Sequence, residues 1–193
     1  MSTMARQIAQ VAARLFAARG YDATPVRAIA EAAGVTKPTL YYYFGSKEGL
    51  AQALLKVPIA RLVETVRGLL DEAIDPVATI QGIVEAHFAF CAEDPDRARL
   101  FYAVFFGPLA SGLAAELDKY GHELEAIEDE AGQRLARAGV IAPERVEAFV
   151  MALRGMIVIH TIQFLYRGGE LGPELAHRIV ADLLGGFGAA DRD

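Results

Sequence analysis

Apolar residues recur at helical spacing along nearly the whole chain, and this periodicity limits the possible folds more than any other feature. No segment alternates apolar and polar residues in the way that strands joined by hairpin turns do. Capping positions also precede prolines at Asp75-Pro76, Asp94-Pro95 and Gly172-Pro173, and proline is well tolerated at the first position of a helix. We therefore expect an all-α fold of about nine helices joined by short connections.

Length and composition indicate an ordinary globular protein. The 193 residues, 53% of them hydrophobic, are enough to bury a core without disulfides. The single Cys91 cannot form an internal bridge, and the Cys and His residues lack zinc-site spacing, so we expect no metal and no other cofactor. The N-terminus lacks a secretory apolar run, and the apolar run at 156–165 falls short of the roughly 20 residues of a membrane span. These features predict a cytoplasmic protein without a membrane partner.

Charge is distributed unevenly along the chain. Residues 1–56 carry seven basic and three acidic side chains, a net charge of +4, whereas residues 57–193 carry 12 basic and 22 acidic ones, a net charge of −10. A chance distribution is one explanation. The other is that the basic N-terminal part contacts a polyanion while the acidic remainder stays away from it.

Two short predicted helices joined by a tight turn lie near the N-terminus. Thr24, followed by a proline, predicts the capped start of the second helix, and Gly34 predicts its end because glycine readily adopts the left-handed conformation. Thr36 would cap the third helix, with Leu40 and Phe44 facing inward. Such a pair of helices is the arrangement of a helix-turn-helix, whose second helix presents its N-terminal side chains to the major groove of DNA.

The third helix carries three consecutive tyrosines, Tyr41, Tyr42 and Tyr43. They sweep about 300° of a helix, so at most one of them can be wholly buried. Packing against the first helix is one explanation for them. The other is DNA binding, because phenol hydroxyls donate well to phosphate oxygens.

The stretch from Thr24 to Leu50 resembles the signature of the TetR family of bacterial transcriptional regulators. The resemblance rests on Thr24-Pro25-Val26-Arg27-Ala28-Ile29-Ala30, on Ala33-Gly34-Val35-Thr36-Lys37-Pro38-Thr39-Leu40-Tyr41-Tyr42-Tyr43-Phe44 and on Ser46-Lys47-Glu48-Gly49-Leu50. It covers roughly the first 55 residues, and beyond them only length and helix count agree. Many members carry Gly at the Pro38 position and His at the Tyr43 position, and these exchanges bear on base preference.

The resemblance implies a set of DNA contacts. A phosphate would lie at the start of the second helix, and a cation near it would approach the backbone or a base; the residues are Thr24 and Arg27. Side chains of the third helix would reach the base edges, and its tyrosines would hold phosphates together with a lysine at the start of the fourth helix, where a cation is otherwise unfavourable. The residues at or near the base edges are Thr36, Lys37, Pro38, Thr39 and Tyr42, and those at phosphates are Tyr41, Tyr43 and Lys47.

The C-terminal part is rich in aromatic and apolar side chains. These residues can simply fill a core, but they can also line a cavity, and relatives in the family commonly bind apolar or aromatic effectors there. Two polar groups, His87 and Arg154, could orient such an effector. The other predicted effector-site residues are Phe88, Cys91, Tyr102, Phe105, Met151 and Val158.

The predicted eighth helix, about 144–166, has two apolar stripes, so one could face its own core and the other a partner. The family pairs its last two helices across a two-fold axis, and a symmetric dimer suits a palindromic operator. His160 is interpreted as a core or interface residue and not as a ligand. The predicted dimer interface comprises Phe149, Ile157, His160, Phe164, Ile179, Leu183 and Phe187.

These features predict a DNA-binding domain at 1–55 and an effector-binding and dimerisation domain at 56–193. The expected function is a dimeric repressor that binds palindromic operator DNA and is released by a small apolar or aromatic effector. An enzyme is not expected, because nucleophile elbows, phosphate-binding glycine loops and paired helical histidines are missing from the sequence. The alternative is a DNA-binding or architectural protein of the same fold that no ligand controls.

Overall fold

The computed structural model describes residues 2–72, 74–106 and 112–186. Within these ranges the chain forms nine α-helices and one 3₁₀ turn, with no strand, which confirms the all-α expectation. The pair Gly107-Pro108, whose residue types predict a break between helices, lies outside the described residues. The helices are α1 Thr3–Arg19, α2 Val26–Ala32, α3 Lys37–Phe44, α4 Lys47–Glu72, α5 Pro76–Glu93, α6 Pro95–Phe105, α7 Gly112–Arg137, α8 Val146–Arg167 and α9 Pro173–Gly185, and the 3₁₀ turn Pro143–Arg145 precedes α8.

The chain divides into two compact units. The first consists of Met1–Arg61 and Glu93–Gly121, and the second of Leu62–Ala92 and His122–Asp193. The first unit therefore contains α6 in addition to the three N-terminal helices. The functional boundary at residue 55 stays a prediction.

The core of the first unit forms around α1. Ile8 and Phe16 of α1 are almost fully buried, as are Ile29 of α2 and Leu40 of α3. Phe44 was expected to face inward beside Leu40, but it is only half-buried. It occupies the last turn of α3, immediately before the helix ends.

Side-chain caps start most of the helices as the sequence predicts. The hydroxyl of Thr36 accepts from the amide of Thr39 at 3.3 Å, and that of Ser46 accepts from the amide of Gly49 at 2.9 Å. The carboxylates of Asp75 and Asp94 likewise accept from amides in the first turns of α5 and α6. Each cap satisfies one of the amides that lack a partner at a helix start.

Thr24 is the exception, and the predicted cap at this position is wrong. Its side chain is fully buried, and its hydroxyl donates to the carbonyls of Gly20 at 2.8 Å and Leu15 at 3.3 Å. Pro25 occupies the N-cap position of α2 and supplies no side-chain hydrogen bond. The hydroxyl of Thr24 therefore ties the loop after α1 to the end of α1.

The second unit is held together by tight packing of helices with apolar faces. Up to Phe90, the only exposed residues of α5 are Ala78 and Ala89. A methyl group at Gly132 of α7 would approach a methyl of Val150 in α8 to 2.7 Å, which is too close. The helices α7 and α8 therefore pack closely at a position where only glycine fits.

Candidate nucleic-acid interface

The turn between α2 and α3 has the geometry of a helix-turn-helix. Gly34 adopts φ +67°, a left-handed conformation that favours glycine, and its amide donates to the carbonyl of Glu31. Leu40 is fully buried and holds α3 against the first unit. On the rest of α3, Thr39 and Phe44 are half-buried, and the exposed residues are Lys37, Pro38 and the three tyrosines.

The three tyrosines of α3 all remain accessible. Tyr41, Tyr42 and Tyr43 are 45%, 83% and 38% exposed, so none of them is a core residue. The rings of Tyr42 and Tyr43 meet edge to face, with centroids 5.1 Å apart. This geometry leaves several phenol hydroxyls on one exposed helix, where they can donate to phosphate oxygens.

The N-terminal turn of α3 is also polar. The hydroxyls of Thr36 and Thr39 lie 2.9 Å apart within hydrogen-bonding distance of each other, and both Thr36 and Lys37 are exposed. Pro38 has no amide hydrogen, and the amide of Thr39 is already bonded to Thr36. Contacts between this end of the helix and a base edge would therefore come mainly from side chains.

The corner between α3 and α4 leaves no space for a larger residue at Gly49. A Cβ added to Gly49 would overlap the backbone carbonyl oxygen of Phe44, the last residue of α3. Gly45, between the two helices, adopts φ +72°. The end of α3 thus lies directly against the first turn of α4.

The two other predicted cations take different positions. Arg27 on α2 is exposed and pairs with Glu31 at 2.6 Å, and this hydrogen bond and charge raise the pKa of the Arg27 guanidinium. Lys47, the first residue of α4, extends its Nζ over the ring of Tyr21, 4.3 Å from the centroid. Thr24 precedes both cations in sequence but is buried, so a phosphate at the start of α2 could reach backbone amides there and not its hydroxyl.

The first part of the chain matches a known protein family. Residues 8–54 fit the model of the bacterial regulatory proteins of the tetR family. Over 134 residues the chain is 31% identical to the HTH-type transcriptional repressor KstR2 of Rhodococcus jostii, covering 69% of this chain and 64% of that protein. The chain belongs to the tetR family.

Solved structures of TetR regulators share the fold over nearly the whole chain. The ketosteroid transcriptional regulator KstR2 of Mycobacterium tuberculosis superimposes with a TM-score of 0.83 at 21% identity, covering 96% of this chain and 95% of that one. The regulator AibR, in complex with isovaleryl coenzyme A and operator DNA, gives a TM-score of 0.74 at 23% identity, covering 95% and 100%. In sequence, however, the chain matches only 40% to 66% of the length of these curated relatives.

In the second unit of this TetR-family chain, two predicted effector-site residues meet at a residue that the sequence analysis missed. The Nε of Arg154 lies 2.6 Å from Oε2 of Glu128, and Nε2 of His87 lies 3.5 Å from Oε1 of the same carboxylate. Glu128 is almost fully buried although it is charged. It occupies the buried stripe of α7, and a carboxylate within such an apolar stripe is the signal that could have identified it.

Arg154 has several protein partners at once. Besides Glu128, it donates to the carbonyl of Glu125 at 2.8 Å and to Asp129 at 3.0 Å. Burial alone would lower the pKa of Arg154, but the hydrogen bond to Glu128 and the nearby carboxylates raise it. The side chain therefore cross-links α7 and α8, with three of the five N–H donors of its guanidinium engaged in these bonds. Its role in orienting an effector stays a prediction.

The other predicted effector-site residues are spread over the two units. Phe88 and Cys91 are buried in α5, and Val158 is half-buried in α8. Tyr102 and Phe105 belong to α6 in the first unit, where Phe105 stacks on Phe101 with centroids 5.6 Å apart. Met151 is 60% exposed, so its assignment to an internal cavity is wrong for the described chain.

Several residues of the predicted dimer interface are buried within their own chain, while others remain partly accessible. Phe149 and Ile157 are 7% and 4% exposed and lie in the core of their own chain, as does Ile179 of α9. His160, Phe164 and Leu183 are half-buried, and Phe187 lies outside the described residues. Both stripes of α8 are apolar, so their hydrophobicity did not distinguish the inner stripe from the outer one.

The opposite side of α8 presents an apolar surface to solvent. It includes Met151 and Ile159, which are 60% and 55% exposed, and the exposed polar residue Gln163 lies on the same side of the helix. We call this surface the outer face of α8; it comprises Ala148, Met151, Ala152, Gly155, Ile159 and Tyr166.

The segment Pro143–Arg167, which includes α8, is long and apolar enough to cross a membrane, with a mean hydropathy of 1.7 in its most apolar window. Packed helices of globular proteins meet the same criterion. Only 33% of that window is buried within the chain. Arg154, with its partners Glu128 and Asp129, lies in the middle of the segment, and such charges are costly in a bilayer. The apolar outer face is therefore better matched to a protein partner than to lipid.

Proposed function

We propose that this chain is a sequence-specific DNA-binding transcriptional regulator that acts in the cytoplasm as a homodimer and is released from its operator by a small apolar or aromatic effector. The observation that carries the proposal is the exposed surface of α3, which follows a helix-turn-helix corner and displays hydroxyls, an ammonium and phenols. Membership of the tetR family supports it.

The composition of the α3 surface fits DNA better than it fits a protein. Lys37 and the threonines at the start of the helix can reach base edges, while Tyr41 and Tyr43 can donate to phosphates. The net charge of +4 over residues 1–56 adds long-range attraction to a polyanion. We assign base-edge contacts to Lys37, Pro38, Thr39 and Tyr42, with Thr36 capping the helix that carries them.

A homodimer is the second element of the proposal. A single α3 can contact one major groove, and a two-fold pair can contact two half-sites about 34 to 36 Å apart in a palindromic operator. The outer face of α8 supports this arrangement, because Met151 and Ile159 together with the small residues between them would be covered by the same face of a second copy.

Control by an effector is the third element. AibR, which shares the fold, has been solved with both isovaleryl coenzyme A and operator DNA, and relatives of this chain include KstR2, a ketosteroid transcriptional regulator. We place the effector among the apolar helices of the C-terminal part. Its binding would tilt α4 and change the separation of the two α3 helices, which lowers operator affinity. Identical separations in effector-free and effector-bound dimers would contradict this mechanism.

The decisive experiment is selection of bound fragments from genomic DNA by the purified full-length protein, with affinity measured over a series of salt concentrations. Enrichment of an inverted repeat, with affinity that falls as salt rises, supports a dimeric regulator. Weak binding without a motif would instead favour the architectural alternative.

The selected fragment then provides the assay for effectors. A panel of acyl-CoA thioesters, steroids and aromatic acids is added to the protein–DNA complex, with glucose as a polar control. Release of the DNA by one apolar class of compound, at concentrations at which the protein stays folded, supports ligand control. An unchanged affinity across the panel would favour a regulator that no such ligand controls.

A further inference from the structure

The loop after α1 and the start of α4 form an aromatic seat for a lysine ammonium. The Nζ of Lys47 lies 4.3 Å from the centroid of the Tyr21 ring and 5.9 Å from that of Phe16. The same Nζ donates to the backbone carbonyl of Asp22 at 3.4 Å. An ammonium over an aromatic face is attracted by the electrons of the ring, and the carbonyl adds a directional hydrogen bond.

The seat itself is fixed by buried neighbours. The ring of Tyr21 packs against Phe16, with centroids 5.1 Å apart, and Phe16 is almost fully buried. The hydroxyl of Thr24 ties this loop to the end of α1 through the carbonyls of Leu15 and Gly20. A flexible lysine side chain is therefore held against a rigid support.

The position of Lys47 needs such a support. It is the first residue of α4, where a cation is disfavoured by the helix dipole, and a lysine that is free to rotate loses more entropy when it binds a phosphate. An ammonium has three N–H groups, and the Asp22 carbonyl takes one of them. The other two remain for an anion that approaches from solvent.

We propose that Tyr21 is a positioning residue for DNA binding: its ring holds the Lys47 ammonium in place for a backbone phosphate beside α3. This inference rests on the proposed function. Tyr21 contacts no DNA in this scheme, and its contribution passes through Lys47. Burial, and then the charges of Glu48 and Asp22, raise the pKa of the Tyr21 phenol, so the ring that faces the ammonium stays neutral at physiological pH.

The seat is tested first without DNA. In the NMR spectrum of the full-length protein, the Lys47 Hε protons should be shifted upfield by the ring current of Tyr21. The shift should persist in Tyr21→Phe and disappear in Tyr21→Leu. Unshifted Hε protons in the unaltered protein would overturn the seat, whatever the protein does with DNA.

The role in binding is tested by a double-mutant cycle on the selected operator fragment. Tyr21→Leu should weaken binding by about threefold to fivefold, the range of a cation–π contact at an accessible site, while Tyr21→Phe should match the unaltered protein. In a Lys47→Ala background, Tyr21→Leu should have no further effect, and Lys47→Ala should lower the slope of log affinity against log salt by about 1.

Two results would overturn the positioning role. One is an equal loss from Tyr21→Leu with and without Lys47, which would mean that Tyr21 only supports the fold. The other is tighter binding by Tyr21→Leu, which would mean that the ring withholds Lys47 from DNA. If the Hε shift is present but the protein enriches no DNA fragment at all, the seat stands and both the proposed function and the positioning role fail.

Discussion

The exposed surfaces of α3 and α8 differ in chemistry although both elements are α-helices. On α3 the accessible side chains carry hydroxyl, phenol and ammonium groups around Tyr42, whereas the outer face of α8 is dominated by Met151, Ile159 and small residues. Exposing the polar surface of α3 to water costs little free energy, so it can remain uncovered in the absence of DNA. An apolar helix face is stabilised when another apolar face covers it. Exposure alone therefore does not indicate a partner, whereas the chemistry of the exposed atoms does.

The largest expected effect comes from a charge on the outer face of α8. Ile159→Glu should raise the dimer dissociation constant by at least about 1000-fold, roughly 4 kcal/mol, because the interface would have to bury an unpaired carboxylate. Analytical ultracentrifugation measures the change. Gln133→Glu, which adds the same charge to the exposed side of α7, is the control and should remain dimeric. A dimeric Ile159→Glu would place the interface elsewhere.

The next largest effect is a difference in stability between substitutions on the buried and on the exposed side of α3. Leu40 is fully buried, so Leu40→Ala should lower the free energy of unfolding by about 3 kcal/mol, measured by thermal or urea denaturation. Tyr42→Ala, two residues further along and 83% exposed, should leave the stability within about 0.5 kcal/mol of the unaltered protein. Equal losses in both variants would contradict the orientation of α3.

The contribution of Tyr42 to operator affinity should come mainly from its hydroxyl. Tyr42→Ala should weaken operator binding by about tenfold, roughly 1.4 kcal/mol, if the phenol donates to a charged or polar group on the DNA. Fluorescence anisotropy with the selected fragment measures it. Tyr42→Phe should lose most of the same affinity. Full affinity in Tyr42→Phe would indicate that the ring, and not the hydroxyl, makes the contact.

The smallest effect concerns pH and the surface of α7. Hydrogen bonds from Arg134 at 3.2 Å and Arg137 at 2.6 Å hold the pKa of Glu130 below its usual value. A lowered folded-state pKa stabilises the protein above the unfolded pKa, and this stability is lost as pH falls through the folded value.

Because Glu130 is largely accessible, Glu130→Gln should cost at most about 0.5 kcal/mol at neutral pH and nothing in acid. Glu170→Gln in the exposed loop before α9 is the control. Urea denaturation of the three proteins at several pH values measures the difference. A cost for Glu130→Gln that is independent of pH would show that the ion pairs are not its source.

The sequence predicted α3 better than it predicted α8, and the reason is physical. A threonine cap, a left-handed glycine and Leu40 at the right interval define one orientation of α3, because a polar side cannot exchange with a buried one. On α8, Phe149 and Met151 belong to stripes of similar hydrophobicity, so either could have faced the core. Only packing against α7, at positions such as Gly132, selects the inner stripe.

Contacts between segments distant in sequence also escaped the sequence analysis. His87 and Arg154 were identified as polar groups, but Glu128, which joins them, was not. Tyr21 follows a helix end and belongs to no periodic stripe, so nothing in its neighbourhood connected it with Lys47. Thr24 stands where a capping residue is expected, yet its hydroxyl donates to the carbonyl of Gly20, which precedes it in the chain. Local patterns predict helices, and they do not predict which polar atoms meet across the fold.

The missing side chain at Gly49 gives the first unit a mechanical property. The backbone of α4 there lies directly against the last carbonyl of α3, with no side chain between them. We therefore expect a rotation of the first turn of α4 to move the end of α3, and Tyr41 and Tyr42 with it.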